Sequence, residues 1–404
     1  MSKSEMRDSV DLVKAYQKYF PKEYRFFKDI LVDGYGDGCK FFLGARDNYL
    51  NIYYMGQSIA KIEVPYKNDR RRRTKYAVAN YIFFGDVEEK DDEESKQSYV
   101  TLGWEEYRKA FDQIICNARS NALGKRKGAK QKTVHREKIC QQNIINFNNA
   151  DKMSDWYYID MEYIDAQNPC GRFDMVAIRK SKDVKGKHEV ALVELKVGID
   201  AYGCSIANYG ELKERIYDKL QENLYIPEFR KYKYGSGILS HIADYLRYLH
   251  DDRYKEQLRK EIVLMLEVHE AFGVLQGDNH SLATLTEDDF EDKPTIYILS
   301  YTHDPLANDE KTNVNELKET MYKYLYVESD SNESDSKKIR TSKRALEIML
   351  NNKQVSGFID KKEDFIDSER IEIECVQDIS GNDYKFMFKF WDPDKQERPW
   401  DCLG

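Results

Sequence analysis

The stretch that decides the fold reads GRFDMVAI at residues 171–178 and VALVELK at residues 190–196. Both segments are short, apolar and bounded by polar residues, which predicts two buried strands joined by a turn. Each segment nevertheless carries charge, with Asp174 in the first and both Glu194 and Lys196 in the second. Because residues i and i+2 of a strand share a face, Glu194 and Lys196 are expected to project together. If the two strands pair, Asp174 lies close to both.

These charged side chains are costly inside apolar strands unless they are paired or bind a metal. The carboxylates of Asp174 and Glu194, with the backbone carbonyl of Leu195, offer the oxygen ligands that a hard divalent cation takes. The expected cofactor is Mg²⁺, with Mn²⁺ as the alternative. Such a cation polarises a phosphodiester and activates water, and Lys196 can orient that water or neutralise phosphoryl charge. The pattern predicts metal-assisted phosphodiester hydrolysis; a buried ion pair that only fixes the sheet is the other interpretation.

The same residues resemble the PD-(D/E)xK nuclease superfamily, whose members share the restriction-endonuclease-like fold. Asp174 and the triplet Glu194-Leu195-Lys196 match the superfamily motif. The sequence departs from it at Phe173, which stands where the motif has proline. This departure does not touch a metal ligand. The resemblance covers residues 134–301 and not the flanking segments.

The resemblance implies a metal-dependent nuclease with a role for each matching residue. Asp174 and Glu194 bind the cation, Lys196 assists the attacking water, and Glu137, at the start of a predicted helix, is a helper. The other interpretation of Glu137 is an ordinary first-turn acid that suits the helix dipole. Most members of the superfamily act on DNA, so DNA is the expected substrate and RNA the alternative. Many cut duplexes as dimers, which makes a homodimer compatible with the resemblance.

The order of predicted elements indicates an α/β protein. After residue 133 a helix, three strands, further helices and another strand follow one another, which favours a mixed central sheet flanked by helices. We therefore predict a restriction-endonuclease-like core within residues 133–404, with a C-terminal extension from about residue 305. Residues 1–132 are predicted to form an N-terminal α+β domain that serves substrate contact, regulation or dimerisation.

Two basic runs and one predicted helix are the candidates for nucleic-acid contact. Lys and Arg side chains on a phosphate backbone give salt-dependent affinity without sequence preference. A solvated loop is the alternative for each run. The candidate residues are Arg70, Arg71, Arg72 and Arg73 in the first run, Lys125, Arg126, Lys127 and Lys130 in the second, and Tyr209 and Lys213 on the helix.

The composition excludes several classes of protein. The 64 Lys and Arg residues against 72 Asp and Glu give a net charge of −8, which excludes a protein that coats DNA through bulk positive charge. No apolar run is long enough for a membrane span, and the first residues lack the apolar core of a secretory signal. The seven cysteines form no C-x-x-C pair, which argues against a disulfide framework or a cysteine-rich zinc site. We expect a cytoplasmic protein without a membrane partner.

Two rival functions stay open beside a DNA nuclease. One is a non-cleaving module that binds nucleic acid or a protein on a nuclease-like fold, and the other is a nuclease directed at RNA. A role in bacterial restriction or anti-phage defence is expected from analogy with the fold alone. Cleavage of DNA and RNA with Mg²⁺ or Mn²⁺ separates these functions.

Overall fold

The computed structural model of the protein describes residues 7–36, 39–46, 49–63, 79–84, 99–124, 136–164, 171–198, 241, 244–245, 248–249, 252–301, 315–319, 370–377, 383–391 and 403. The chain divides into two compact units, each built from two segments. The first unit contains residues 1–160 and 259–287, and the second contains residues 161–258 and 288–404. The predicted boundary between residues 132 and 133 lies outside the described residues.

The first unit contains a five-stranded antiparallel sheet whose strands pair in chain order. Two helices precede the sheet and two follow it. The elements are α1 (Arg7–Tyr19), α2 (Pro21–Val32), β1 (Phe42–Arg46), β2 (Tyr49–Tyr54), β3 (Gln57–Glu63), β4 (Asn80–Phe84), β5 (Tyr99–Leu102), α3 (Trp104–Ala122) and α4 (Arg136–Ala150).

Aromatic rings hold helices α2 and α3 against the sheet. Tyr81 of β4 stacks on Phe27 of α2 and on Tyr107 of α3, with ring centroids 5.8 and 5.1 Å apart. The Tyr107 hydroxyl donates a hydrogen bond of 3.0 Å to the Ile59 carbonyl of β3. All three rings are fully buried. They bury apolar area, and their preferred ring geometries help to orient the two helices on the sheet.

The turn between β2 and β3 meets helix α4 at Gly56. The backbone of Gly56 has a φ of +71°, and a Cβ atom there would lie 2.6 Å from the Lys138 carbonyl oxygen. The Gly56 amide donates a hydrogen bond of 2.6 Å to Gln142 Oε1. Glycine is required here because any side chain would push α4 away from the hairpin.

The second unit contains most of a six-stranded mixed sheet. Its strands are β6 (Trp156–Ile164), β7 (Arg172–Lys182), β8 (His188–Val197), β9 (Thr295–Tyr301), β10 (Arg370–Gln377) and β11 (Asp383–Trp391), in the spatial order β10-β11-β9-β8-β7-β6. Strands β7 and β8 are antiparallel, as are β10 and β11. Strand β9 is parallel to both of its neighbours, β8 and β11. The chain is thus a mixed α/β protein, as predicted.

A long crossover joins the parallel strands β8 and β9, as parallel pairing requires. It includes the helical residues His241, Asp244, Tyr245, Tyr248 and Leu249, then helix α5 (Asp252–Ala271) and the 3-10 helices Gly277–Thr284 and Glu287–Asp289. Residues 315–319 are also helical. No helix in the described part of the chain is long and apolar enough to cross a membrane.

Candidate functional site

The candidate site begins with the pairing of β7 and β8. Met175 pairs with Val193 at the end of their ladder, and continuing this register by one residue brings Asp174 opposite Glu194. Opposite residues of an antiparallel pair share a face, with Cβ atoms about 4.5–5.5 Å apart. The structure therefore places Asp174 beside the part of β8 that carries Glu194.

Beyond the end of the backbone ladder, the Asp174 side chain makes the next hydrogen bond to β8. Its Oδ2 accepts a hydrogen bond of 2.7 Å from the Leu195 amide. The N–H and C=O of one strand residue point toward the same neighbouring strand. The Leu195 carbonyl consequently faces the Asp174 side of β8, where the sequence analysis expected a third oxygen ligand.

Glu194 is buried and surrounded by three groups that favour its charge. Lys196 Nζ donates to Oε1, and the Tyr245 hydroxyl donates to Oε2. His241 Nε2 lies 3.3 Å from Oε1. The contact between Glu194 and Lys196 agrees with the predicted i, i+2 placement on one face of β8.

The electrostatics of the cluster set the protonation states of Glu194 and Tyr245. Burial alone raises the pKa of Glu194, but the charges of His241 and Lys196, with hydrogen bonds from Lys196 and Tyr245, outweigh it, so this pKa lies below the ordinary value. Burial, followed by the negative charges of Glu194 and Asp174, raises the pKa of Tyr245 well above the ordinary value. Glu194 is therefore a carboxylate and Tyr245 a hydroxyl donor at neutral pH.

Phe173 explains how Tyr245 reaches Glu194. This residue, which replaces the proline of the resembled motif, is buried and stacks on Tyr163 of β6 at 5.5 Å between ring centroids. It also contacts Tyr245 and Tyr248 edge-on, with centroids 4.7 and 5.1 Å apart. Edge-on ring pairs are favourable and directional. Phe173 thereby packs the helical residues onto the sheet next to its own neighbour, Asp174.

The cluster has one side that faces solvent. The side chains of Glu194 and Lys196 are only 2% and 6% exposed, whereas that of His241 is 28% exposed. Asp174 is half-buried. A ligand from solution therefore meets Asp174 and His241 first.

The donor set suits a cation that keeps part of its water shell. Among the described residues, no group of three or more His, Cys, Asp or Glu side chains is placed to hold a metal ion. Mg²⁺ does not require such a group, because it is commonly held by one or two carboxylates, waters and substrate phosphates. Asp174, Glu194 and the Leu195 carbonyl fit that chemistry.

The remaining predicted site residues comprise Glu137 and the predicted nucleic-acid contacts. Glu137 is half-buried in the first turn of α4, in the first unit, and its role as a helper stays a prediction. The residues predicted to contact nucleic acid fall outside the described residues. They are Arg70, Arg71, Arg72, Arg73, Lys125, Arg126, Lys127, Lys130, Tyr209 and Lys213.

Sequence reasoning missed two members of the cluster. These members are His241 and Tyr245, which the sequence pattern did not single out. Both residues contact Glu194. Their spacing of four residues, which puts them on one face of a helix, was the available signal. That signal became meaningful only once this helix was placed against β8.

Comparisons of the chain with protein-family models, with curated proteins and with solved structures found no match.

Proposed function

We propose that the protein is a divalent-cation-dependent nuclease that hydrolyses phosphodiester bonds of DNA, on a restriction-endonuclease-like core. The observation that carries the proposal is that the Asp174 carboxylate bonds the Leu195 amide, between Glu194 and Lys196, whose side chains are in contact. If these residues served folding alone, two acids and a lysine would be a poor choice, because apolar residues would pack at this end of the hairpin ladder at a lower free-energy cost. A function at the site accounts for their presence.

The residues of the cluster divide the work of hydrolysis. Asp174, Glu194 and the Leu195 carbonyl hold the cation, which when bound polarises the phosphodiester and lowers the pKa of water. Lys196 orients the attacking water and neutralises charge that develops on the phosphoryl group. The Leu195 amide fixes the Asp174 carboxylate in advance, so less ordering is required when substrate binds.

Cleavage of plasmid and linear duplex DNA with Mg²⁺ or Mn²⁺, against EDTA, tests the proposal. The wild type should cut, and Glu194→Gln and Lys196→Met should each slow cutting by about 100-fold or more. Glu189→Gln is the matched control. Glu189 lies on β8 as well, but on the opposite face, where its carboxylate contacts Tyr297 and Arg179. This variant should cut at the wild-type rate.

Two results would overturn the proposal. One is a wild type that cuts no single- or double-stranded DNA with either cation, and the other is a Glu194→Gln variant that cuts as fast as the wild type. The same assay with single-stranded and structured RNA tests the substrate. Cutting of RNA and not of DNA would transfer the reaction to RNA while keeping the site. A role in bacterial defence and a homodimer are proposed by analogy with the fold alone. A cytoplasmic location is proposed from the cysteines, which form no C-x-x-C pair.

A non-cleaving binding module is the second candidate. The observation that favours it is the complete pairing of Glu194 by Lys196, Tyr245 and His241, which a structural cluster would also show. A ligand that binds only the folded state raises its stability. The nuclease therefore predicts that Mn²⁺ raises the Tm of the wild type and not that of Glu194→Gln. The binding module predicts that Mn²⁺ changes neither Tm.

A further inference from the structure

A hydroxyl without a partner lies next to the candidate site. Ser300, in strand β9, is fully buried, and within the described part of the chain its Oγ has no hydrogen-bond partner. A buried hydroxyl that makes no hydrogen bond costs free energy, and such groups are rare in folded proteins. The position of Ser300 therefore requires an explanation.

The register of β8 and β9 places Ser300 beside Lys196. The two strands are parallel, with Lys196 paired to Ser300 and Glu194 paired to Ile298. Paired residues of neighbouring strands project from the same face, and the strands lie about 4.8 Å apart. Ser300 thus stands on the face that carries the Glu194 cluster, next to its lysine.

The ammonium of Lys196 depends on acceptors in a buried place. It has three N–H donors, and its side chain is only 6% exposed, so water reaches little of it. In this structure it donates to Glu194 Oε1. A cation that binds Glu194 competes for that oxygen, and a Lys196 donor then requires another acceptor.

We propose that Ser300 is a positioning residue whose Oγ accepts a hydrogen bond from Lys196 Nζ when Glu194 binds a divalent cation. This inference rests on the proposed function. Ser300 keeps the ammonium on the site face after Glu194 has turned to the cation. The charge then stays where the attacking water and the phosphoryl group require it.

Binding of Mn²⁺ to the full chain tests the inference, because it can be measured without cleavage, from the electron paramagnetic resonance of free Mn²⁺. Ser300→Ala should weaken the Kd for Mn²⁺ about tenfold, the effect of one hydrogen bond to a charged group. Thr295→Val is the matched control, since it removes a hydroxyl from a buried residue on the opposite face of β9. Its Kd should stay within about twofold of the wild-type value.

A double-mutant cycle shows whether the effect passes through Lys196. In a Lys196→Met background, Ser300→Ala should not change the Kd further, because the donor is already absent. Without added cation, Ser300→Ala should melt at or above the wild-type Tm, because it removes an unpaired buried hydroxyl. A lower Tm would overturn the inference, as would equal effects of Ser300→Ala in both backgrounds.

Cleavage and Mn²⁺ binding, measured on the wild type and on Ser300→Ala, distinguish failure of the inference from failure of the proposed function. If the wild type cuts DNA and Ser300→Ala binds Mn²⁺ as tightly as the wild type, the role of Ser300 is wrong and the nuclease stands. If Ser300→Ala weakens Mn²⁺ binding but the wild type cuts no nucleic acid, the role of Ser300 stands and the nuclease is wrong. A wild type that binds no Mn²⁺ overturns both.

Discussion

Each of the two units buries an ion pair, and the two pairs are built differently. In the first unit Arg46 Nη1 donates a hydrogen bond of 2.6 Å to Asp160 Oδ2, and the side chains are 11% and 0% exposed. In the second unit Glu194 contacts Lys196, Tyr245 and His241. The Asp160 carboxylate thus binds a planar guanidinium, whereas the Glu194 carboxylate contacts a lysine, a tyrosine and a histidine from a strand and a helix.

The two carboxylates differ in how easily their partners can release them to another ligand. Burial lowers the pKa of Arg46, but the Asp160 carboxylate together with Tyr53 and Tyr49 raises it above the ordinary value, so this cation keeps its proton at any pH in common use. The partners of Glu194 are groups that can rotate or exchange a proton. A lysine, a tyrosine and a histidine can release a carboxylate to a cation one contact at a time. Burial of an ion pair is therefore not by itself a sign of a functional site; the chemical kind of its partners separates the two cases.

Removal of Asp160 should have the largest effect on stability. Asp160→Ala leaves Arg46 buried without its carboxylate, which should lower the free energy of unfolding by about 3–5 kcal/mol. Urea denaturation at pH 7 measures it. The double variant Arg46→Met with Asp160→Leu should recover most of the loss, because no buried charge is then left alone. A loss below about 1 kcal/mol for Asp160→Ala would show that Arg46 finds water instead.

A second large effect should appear on acidification, through His269. Its Nδ1 lies 2.9 Å from the Tyr157 hydroxyl, and its Nε2 lies 2.9 Å from the Leu43 carbonyl. Burial lowers the pKa of His269 from 6.5 to about 4. The unfolded chain therefore binds a proton that the folded chain refuses, so stability falls as the pH drops from 6.5 toward 4, by about 3 kcal/mol.

Comparison of variants isolates this contribution from the other titrating groups. His269→Gln should flatten the fall in unfolding free energy between pH 6.5 and 4. His280→Gln should leave the fall unchanged, because the His280 side chain is 58% exposed and pairs with Glu270 at the surface. If His269→Gln follows the wild-type profile, the buried imidazole is not the group that titrates.

The hydrogen bond from Tyr245 should contribute less and should depend on cation. Tyr245→Phe leaves Glu194 Oε2 without its donor, which should cost about 2 kcal/mol in EDTA. With saturating Mn²⁺ the loss should shrink, since the cation then occupies the carboxylate. Tyr248→Phe is the control, because the Tyr248 hydroxyl donates a hydrogen bond of 3.3 Å to the Tyr254 carbonyl. The smaller loss of unfolding free energy in this variant should be the same with and without Mn²⁺. If Tyr245→Phe loses the same unfolding free energy in both conditions, Glu194 is a structural carboxylate, as Asp160 is.

The smallest effect should come from a buried amide of the first unit. The side chain of Gln141 is fully buried, and in the described residues neither its Oε1 nor its Nε2 has a hydrogen-bond partner. Gln141→Met should raise the free energy of unfolding by about 1 kcal/mol. Its neighbour Gln142 bonds Gly56, Lys40 and Tyr53, so Gln142→Met should lower it. Opposite signs in urea denaturation confirm the contrast, and a loss for Gln141→Met contradicts it.

Several elements after residue 150 could be predicted from local pattern. The apolar runs at 156–164, 172–178 and 189–197 have the pattern of strands and form β6, β7 and β8. The stripe of Leu258, Ile262 and Leu266 has helical spacing and lies in α5. These elements are signalled by periodicity, which a single sequence displays directly.

The elements that were missed depend on context. Pro21 follows the end of α1 and also opens α2, because proline is well suited to the first turn of a helix. Strand β5 has four residues, too few for a pattern. His241 and Ser300 reach the site by long-range placement: one lies on a helix and the other on a parallel strand. No local signal states which strand will lie beside β8.

The division of the first unit into two segments has a consequence for its synthesis. Residues 259–287 complete this unit, and within them His269 bonds Leu43, 226 residues earlier in the chain. Its sheet leaves the ribosome early, but the segment that seals its core is translated only after strands β6, β7 and β8. The first unit therefore reaches its final fold late, and a chain that stops short of residue 287 leaves the buried face around Leu43 open to water and to chaperones.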